Sequence, residues 1–203
     1  TLSMKELQYA FSQTGFGPQD KMEFVIFDAC LMASVETAWS IKDYAHYMAA
    51  SENVSYCAGS DYSFMKLLNT ANSGAVIGAG YVDAFYEKSE DLVSFLKWAG
   101  KSVYDVTYSC LDLSKMDQMN QALDAVFAQL NADESPDSFN VSFSIKSARG
   151  VKEYADSYGA ATDAVYDLVD MWDWLDWFGL YYPEEMEQLR DALDDLVVRN
   201  KAN

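Results

Sequence analysis

Apolar and polar residues change their spacing along this chain, and the spacing predicts where strands and helices lie. Residues Met22–Phe27 are mostly apolar, as in a strand that is buried on both faces of a parallel sheet. Residues 34–44 repeat apolar positions with a helical period, and residues 46–50 are again a short apolar run. A strand, a helix and a strand in that order predict a βαβ unit with two parallel strands.

The rest of the pattern predicts more helix toward the end of the chain. Val103–Leu111 alternates apolar and polar residues, which predicts a strand with one solvated face. Apolar positions in residues 139–145 fit a strand and a helix equally well. We place a catalytic α/β part at residues 1–113 and a mainly helical region, packed on the same domain, at 114–203. Helices are predicted over residues 4–14, 62–70, 75–90 with a continuation over 92–98, 116–130, 165–172 and 183–197.

Composition and charge exclude some classes of partner. The chain has 203 residues, half of them hydrophobic, which is enough for one sizeable core. Its formal net charge is −18, so DNA, RNA and anionic membrane surfaces are poor partners. An acidic surface of this kind either attracts basic ligands or only maintains solubility. No apolar run approaches the ~20 residues of a membrane-spanning helix, so no membrane span is predicted.

A thiol and a carboxylate stand directly after the first predicted strand, at Cys30 and Asp28. Ligands of open α/β sheets bind at the carboxyl ends of strands, where the N–H groups of a following helix can stabilise negative charge. Cys30 is therefore a candidate nucleophile, although its position equally suits a buried, unreactive cysteine. We interpret Cys57 and Cys110 as structural. The irregular spacing of the cysteines predicts neither a disulfide framework nor a CxxC metal site.

Three carboxylates, Asp170, Asp173 and Asp176, fall on one face of a predicted helix. They could hold a cation, but a solvated acidic face accounts for the same spacing and is the interpretation we favour. The sequence pattern therefore assigns no metal site.

The stretch Phe24–Asn53, FVIFDACLMASVETAWSIKDYAHYMAASEN, resembles the catalytic segment of the clostripain-like cysteine peptidases of the caspase-like clan. That family carries an Asp-Ala-Cys-Leu-Met motif, which stands here at Asp28–Met32. It also carries a Glu in the following helix, here Glu36, and a Ser-Glu pair, here Ser51–Glu52. Ser60–Tyr62 is similar to the family's Trp-Asp-Tyr, with Ser in place of Trp. The resemblance is specific up to this segment and weaker beyond it.

This resemblance implies a fold and a set of residue roles. The fold is a three-layer α/β/α caspase-like domain with a mainly parallel sheet, incomplete in this chain, plus a helical C-terminal region. Cys30 is implied as the nucleophile of a cysteine endopeptidase. Asp28 is implied at the floor of the pocket for P1, the Arg or Lys that precedes the scissile bond, with Asp61 as a second acidic residue. From the residues alone, a cap on the following helix is the alternative role for Asp28.

The resemblance also implies a partner chain. The family's catalytic His lies in a His-Gly motif before the Cys strand, whereas the only histidine here, His46, follows Cys30 and is expected to be a structural or surface residue. Family members are cleaved between that His and the Cys into a light and a heavy chain that stay associated. A chain that starts at Thr1 suits the heavy chain, and an N-terminal light chain would supply the His and further strands.

Three more properties follow from the resemblance alone. They are autocatalytic maturation, a secreted or bacterial cell-envelope location, and calcium as a ligand, although the chemistry itself requires no cofactor. Protein or peptide substrates with a basic P1 residue are the implied partners, and nucleic acid is not among them.

Two alternatives remain open. A catalytically inactive relative, or an acidic binding module that keeps the caspase-like fold, would carry the same motifs. A His-Gly segment encoded upstream would argue against both. A phosphohydrolase with Asp28 as its nucleophile is disfavoured, because that chemistry requires a second Asp where Cys30 stands.

Overall fold

A computed structural model describes residues 3–53, 55, 60–69, 71–101, 103, 106–132, 170–180 and 182–202. The chain forms two compact units, one from residues 1–116 together with 196–203 and the other from residues 117–195. The domain division predicted at residue 113 stays a prediction. In the part of the chain that the structure describes, no helix is long and apolar enough to cross a membrane.

Four strands of the described residues form one sheet, in the order β1-β2-β3-β4. The strands are β1 Met22–Ile26, β2 Ala45–Ala50, β3 Thr107–Asp112 and β4 Val197–Ala202. β1 and β2 run parallel, as the βαβ pattern predicts, with Phe24 opposite Tyr47. β3 runs antiparallel to β2, and β4 runs antiparallel to β3.

The α/β class is confirmed, but the described strands do not form a mainly parallel sheet, since only the β1–β2 pair is parallel. The long connection between β2 and β3 explains the difference. It leaves the sheet at Ala50 and re-enters at Thr107 at the same end of the strands, where Ala50 lies opposite Ser109. A strand that re-enters where its neighbour ended must run in the opposite direction. An apolar run has the same composition in either direction, so the sequence pattern did not reveal it.

The described helices are α1 Met4–Ser12, α2 Val35–Ile41, α3 Gly74–Trp98, α4 Met116–Ala132, α5 Met171–Phe178 and α6 Pro183–Leu196, with short 3₁₀ helices at Tyr62–Leu67 and Leu113–Lys115. Serines cap the first three. Ser3 and Glu6 form the capping box that the sequence predicts for α1. Ser34 caps α2 and Ser73 caps α3, each accepting an N–H of the first turn. The two helical stretches predicted between residues 75 and 98 are one continuous helix, α3.

One face of the sheet is covered by α3, which contacts all four strands. Tyr81 and Val82 of α3 are fully buried and belong to one apolar cluster with Tyr108 and Cys110 of β3. A Cβ atom on Gly78 would collide with the Cys110 sulfur, so the close approach of α3 to β3 requires glycine there. Burial raises the pKa of the Cys110 thiol to about 12, and this neutral, buried thiol agrees with the structural role we expected.

The opposite face of the sheet is buried as well. Met48 and Leu111 are strand partners there and are 0% and 7% exposed. Thr107 and Ser109, which we expected on a solvated face of β3, are also buried. The Thr107 hydroxyl accepts the N–H of Asn53 at 3.2 Å, so protein groups rather than water satisfy it. A sheet that is buried on both faces is the middle layer that the three-layer fold class predicts.

The last helix ends earlier than predicted, and a strand follows it. The pattern places Val197 in the last helix, but α6 ends at Leu196 and Val197 begins β4. Along β4 the side chains alternate between half-buried and exposed, which is the period of an outer strand. Arg199 of β4 donates two hydrogen bonds to Asp83 of α3, at 2.7 and 2.9 Å. The strand begins at the residue directly after the helix, so the sequence contains no turn signal between them.

The second unit is helical in its described residues. α4 buries Met119 and Val126, and α6 buries Leu189 and Leu193, each at helical spacing. The interpretation of residues 139–145 lies outside the described residues, as does most of the helix predicted over 165–172.

Candidate active site

The loop that follows β1 is anchored at both of its ends. Phe27 donates its N–H to the carbonyl of Ala49 at 2.9 Å, and its own carbonyl accepts the hydroxyl proton of Tyr108 at 2.5 Å. Leu31 donates its N–H to the carbonyl of Asn53 at 3.2 Å. The predicted nucleophile and the predicted carboxylate lie between these anchors, so the position of both is fixed by the end of β2 and by β3.

The backbone of this loop contains an unusual turn at Leu31, whose φ is +62°. No other described residue except glycine has a positive φ. A left-handed conformation costs an ordinary residue roughly 1–2 kcal/mol, so the surrounding hydrogen bonds must hold it. Such conformations concentrate at functional sites. The turn directly follows Cys30 and leaves that residue exposed.

Cys30 is therefore not the buried cysteine that its position also allowed, and its role as nucleophile stays a prediction. Its sulfur accepts the backbone N–H of Ser55 at 3.3 Å and lies 3.5 Å from the Ser55 hydroxyl oxygen. We expected N–H groups of α2 beside the sulfur, but α2 begins at Val35 and Ser34 caps it. Ser55 comes from the loop after β2, and no sequence motif indicated it.

Asp28 is exposed and accepts one hydrogen bond on each carboxylate oxygen. The Ser60 hydroxyl donates to Oδ1 at 2.7 Å and the Tyr62 hydroxyl donates to Oδ2 at 2.9 Å. Partial burial acts to raise the pKa of Asp28, but these two hydrogen bonds and the positive charge of Lys88 outweigh it and hold the pKa below its usual range. The carboxylate makes no cap on α2, because Ser34 fills that position. The alternative role of Asp28 as a helix cap is therefore wrong.

Asp61 has a local partner. Its Oδ1 accepts the N–H of Ser63 at 2.7 Å and so caps the short 3₁₀ helix Tyr62–Leu67. That hydrogen bond, assisted by nearby lysine charges, lowers the pKa of Asp61. Its neighbour Tyr62, rather than Asp61 itself, has a hydrogen bond to Asp28. The role of Asp61 in a substrate pocket stays a prediction.

His46 lies near the opposite end of the sheet. It stands in β2 between Ala45, which pairs with Met22, and Tyr47, which pairs with Phe24. It is therefore beside the beginning of β1, whereas Cys30 follows its carboxyl end. The strand between these positions spans roughly 13 Å at about 3.3 Å per residue, too far for a direct proton transfer. His46 is exposed, and its placement supports the expectation of a structural or surface residue rather than a catalytic base.

A family model described as the clostripain family matches residues 1–202. The chain belongs to the clostripain family. The resemblance carried by Asp28–Met32 is thereby confirmed, and the match extends to the part of the chain where sequence motifs were weak. A search of curated proteins finds no match.

Solved structures of clostripain-like proteases share this fold. A clostripain from Bacteroides thetaiotaomicron, in complex with the peptide inhibitor BTN-VLTK-AOMK, is 19% identical with a TM-score of 0.64, over 100% of this chain and 76% of that chain. An inactive zymogen from Parabacteroides distasonis is 17% identical with a TM-score of 0.67, over 99% and 48%. A secreted cysteine protease from Bacteroides thetaiotaomicron is 19% identical with a TM-score of 0.64, over 100% and 48%.

At these identities the likeness shows the fold alone, and it confirms the α/β fold class that we expected. The clostripain-family chain spans about half the length of two of these three proteins. The activity of the whole protein is therefore a matter for proposal.

We assign no metal site among the described residues of this clostripain-family chain. They contain no group of three or more His, Cys, Asp or Glu side chains that could hold a metal ion. In the acidic face predicted near residue 173, Asp176 forms a salt bridge with Arg190, in which Oδ1 and Nη2 are 2.5 Å apart. Calcium stays a prediction from the family resemblance. Cys57 lies outside the described residues, so its structural role also stays a prediction.

Proposed function

We propose that this chain carries the nucleophile and the P1 pocket of a cysteine endopeptidase that cleaves after Arg or Lys. One observation supports the proposal most strongly. An exposed thiol, Cys30, and an exposed carboxylate, Asp28, lie two residues apart on one anchored loop at the carboxyl end of β1. A carboxylate beside a nucleophile favours substrates whose neighbouring side chain is a cation.

The proposed reaction follows the general scheme of cysteine proteases. The Cys30 thiolate attacks the carbonyl carbon of the P1 residue, and a sulfur–carbon bond forms. The peptide carbon–nitrogen bond then breaks, and the departing amine takes the proton that the thiol gave to a general base. Water next gives a proton to that base and attacks the acyl carbon, the sulfur–carbon bond breaks, and the product leaves with a new C-terminal carboxyl group. The thiol recovers its proton from the same base.

The general base is proposed to come from a separate N-terminal light chain. His46 is the only histidine in this sequence and lies near the wrong end of the sheet. Among the described strands, β1 pairs with β2 on one side only. An unpaired edge on a sheet with two buried faces is a place for a further strand. We propose that an upstream segment supplies that strand and the His, and that internal cleavage separates the two chains.

Two of the structurally similar proteases have properties that match these proposals. One solved structure is an inactive zymogen, and another is a secreted protease. We propose that this protein likewise matures from an inactive form and acts in a secreted or cell-envelope location.

The proposed function is tested with the complete protein, including any segment encoded upstream. A library of fluorogenic peptides that differ only at P1 should be cleaved after Arg and Lys and poorly after neutral residues. The variant Cys30→Ala, with the same folded spectrum, should cleave none of them. A protein that hydrolyses no peptide would favour the inactive relative or the acidic binding module. Preference for neutral P1 residues would refute the role of Asp28.

A further inference from the structure

Two hydroxyl groups bind the Asp28 carboxylate and a third lies behind one of them, and we call Ser60, Tyr62 and Tyr81 the hydroxyl cluster. Ser60 and Tyr62 bind the two carboxylate oxygens directly. Tyr81 of α3 lies behind Ser60, with its hydroxyl in a short contact with the Ser60 hydroxyl oxygen. Ser60 and Tyr81 are 5% and 0% exposed, whereas Tyr62 is 56% exposed. The cluster thus joins the surface carboxylate to the core of the sheet.

The proton positions in the hydroxyl cluster follow from the number of donors. Ionised Asp28 only accepts, so the single Ser60 hydroxyl proton points to Asp28. Ser60 can then only accept from Tyr81. The Tyr108 hydroxyl has two acceptors within reach, the Phe27 carbonyl at 2.5 Å and the Tyr81 hydroxyl oxygen at 3.3 Å, so neither contact requires the Tyr81 proton. A consistent arrangement therefore has Tyr81 donating to Ser60 and Ser60 donating to Asp28.

We propose that Ser60 and Tyr62 are positioning residues that hold the Asp28 carboxylate in place for a basic P1 side chain, with Tyr81 orienting Ser60. This inference rests on the proposed function of Asp28. The two hydroxyls act on different oxygens, so they fix the rotation of the carboxylate as well as its position. A carboxylate that is already oriented loses less conformational entropy when it pairs with a guanidinium or an ammonium.

The charges around Asp28 are compatible with this role. Burial raises the pKa values of Tyr81 and Tyr108, so both phenols on this side stay neutral and act as fixed dipoles. The pKa of Tyr62 is raised by its hydrogen bond to Asp28. The nearby cation is Lys88 of α3, which donates to the carbonyl of Ser60 at 3.2 Å. Its positive charge contributes to the lowered pKa of Asp28.

The test uses the variants Ser60→Ala and Tyr62→Phe in the complete protein, each of which removes one hydroxyl. The loss of one hydrogen bond to a charged group lowers a binding or rate constant by a factor of roughly ten to a hundred. We therefore expect kcat/KM for Arg and Lys substrates to fall by roughly ten- to a hundredfold. Hydrolysis of a matched substrate with a neutral P1 residue should change less than about twofold. Two variants serve as matched controls and should leave both substrates unaffected: Ser89→Ala, another buried serine, and Tyr9→Phe, another exposed tyrosine.

The pH profile distinguishes positioning from a merely structural effect. The hydrogen bonds keep the pKa of Asp28 low, whereas burial acts in the opposite direction. Removing a donor therefore raises that pKa, and the acidic limb of kcat/KM for basic substrates should move to higher pH. A carbon-13 NMR titration of the Asp28 carboxyl group should show the same direction of change in both variants. This second measurement needs no turnover, so it applies to an inert protein as well.

The outcomes separate the two proposals. If Asp28→Asn impairs cleavage after Arg and Lys but Ser60→Ala and Tyr62→Phe do not, the inference is wrong and the proposed function stands. If Asp28→Asn has no effect on basic substrates, the P1 role of Asp28 fails, and the inference fails with it. Unchanged Asp28 titration in both hydroxyl variants would also overturn the inference. Equal losses on basic and neutral substrates would show a structural role only.

Discussion

The substitution Asp28→Asn removes one negative charge from the proposed P1 pocket and keeps its shape. The Ser60 and Tyr62 hydroxyls can each donate or accept, so they can still bind an amide in place of the carboxylate. We therefore expect the variant to fold normally. What it loses is the ion pair with a basic P1 side chain.

The size of that loss follows from the exposure of Asp28. An exposed ion pair contributes about 0–1 kcal/mol, whereas losing one partner of a desolvated pair costs about 2–5 kcal/mol. Asp28 is exposed in the free chain, but a bound P1 side chain would cover its outer side while the hydroxyl cluster covers the inner side. We therefore expect a loss in the range of a desolvated pair, about 2–4 kcal/mol, which is on the order of 30- to 1,000-fold in kcat/KM.

The assay compares kcat/KM for Arg, Lys and norleucine at P1 in an otherwise identical peptide. The Arg and Lys substrates should lose the full factor, and the norleucine substrate should change little. Asp43→Asn is the control for net charge, because Asp43 is exposed beside Lys42 in the connection that precedes β2. Normal cleavage of Arg and Lys substrates by Asp28→Asn would refute the reasoning, and a larger effect of Asp61→Asn would move the pocket to that residue.

Three further predictions follow from the same structure. First, this chain expressed without its upstream segment should hydrolyse no Arg substrate, and co-expression with that segment should restore hydrolysis; one His→Ala change in the segment should abolish activity while the two chains still co-purify. An active isolated chain that loses activity with His46→Ala would contradict the two-chain proposal. Second, Met48→Ala should lower the free energy of unfolding by about 2–5 kcal/mol in a denaturant titration, because Met48 is fully buried in β2. A change below about 1 kcal/mol would contradict the close packing of that face. Third, Tyr81→Phe should weaken cleavage after basic residues less than Ser60→Ala does, since Tyr81 acts on Asp28 only through Ser60.

Local signals in the sequence predicted the part of the fold that surrounds the site. The mostly apolar run at Met22–Phe27 and the helical period after it are sufficient for the parallel pair β1–β2. The same signals predicted the strand β3 but not its direction, which depends on where a long connection returns to the sheet, and they did not predict β4. We predicted a solvated face for Thr107 and Ser109, but a polar residue can be buried when a protein group satisfies its hydrogen bond.

The site was predictable only as far as its motif extends. Asp28 and Cys30 adjoin one strand in the sequence, so the strand end indicated both. Ser55 contacts Cys30 from another loop, and Tyr81 contacts Ser60 from α3. The spacing of residues in the sequence indicates neither contact. Ser60 appeared in the sequence only as a departure from the family's Trp. The structure shows that its hydroxyl joins Asp28 to the buried tyrosines.

The central claim is that Cys30 is the nucleophile of a protease with a P1 pocket for cations. The most direct measurement is labelling of the complete protein by a peptidyl acyloxymethyl ketone with Lys at P1, followed by mass spectrometry of the labelled peptide. The account predicts one label per protein, on Cys30, that disappears in Cys30→Ala and is at least about tenfold slower with norleucine at P1. A label on Cys57 or Cys110, or equal rates for the Lys and norleucine probes, would contradict it.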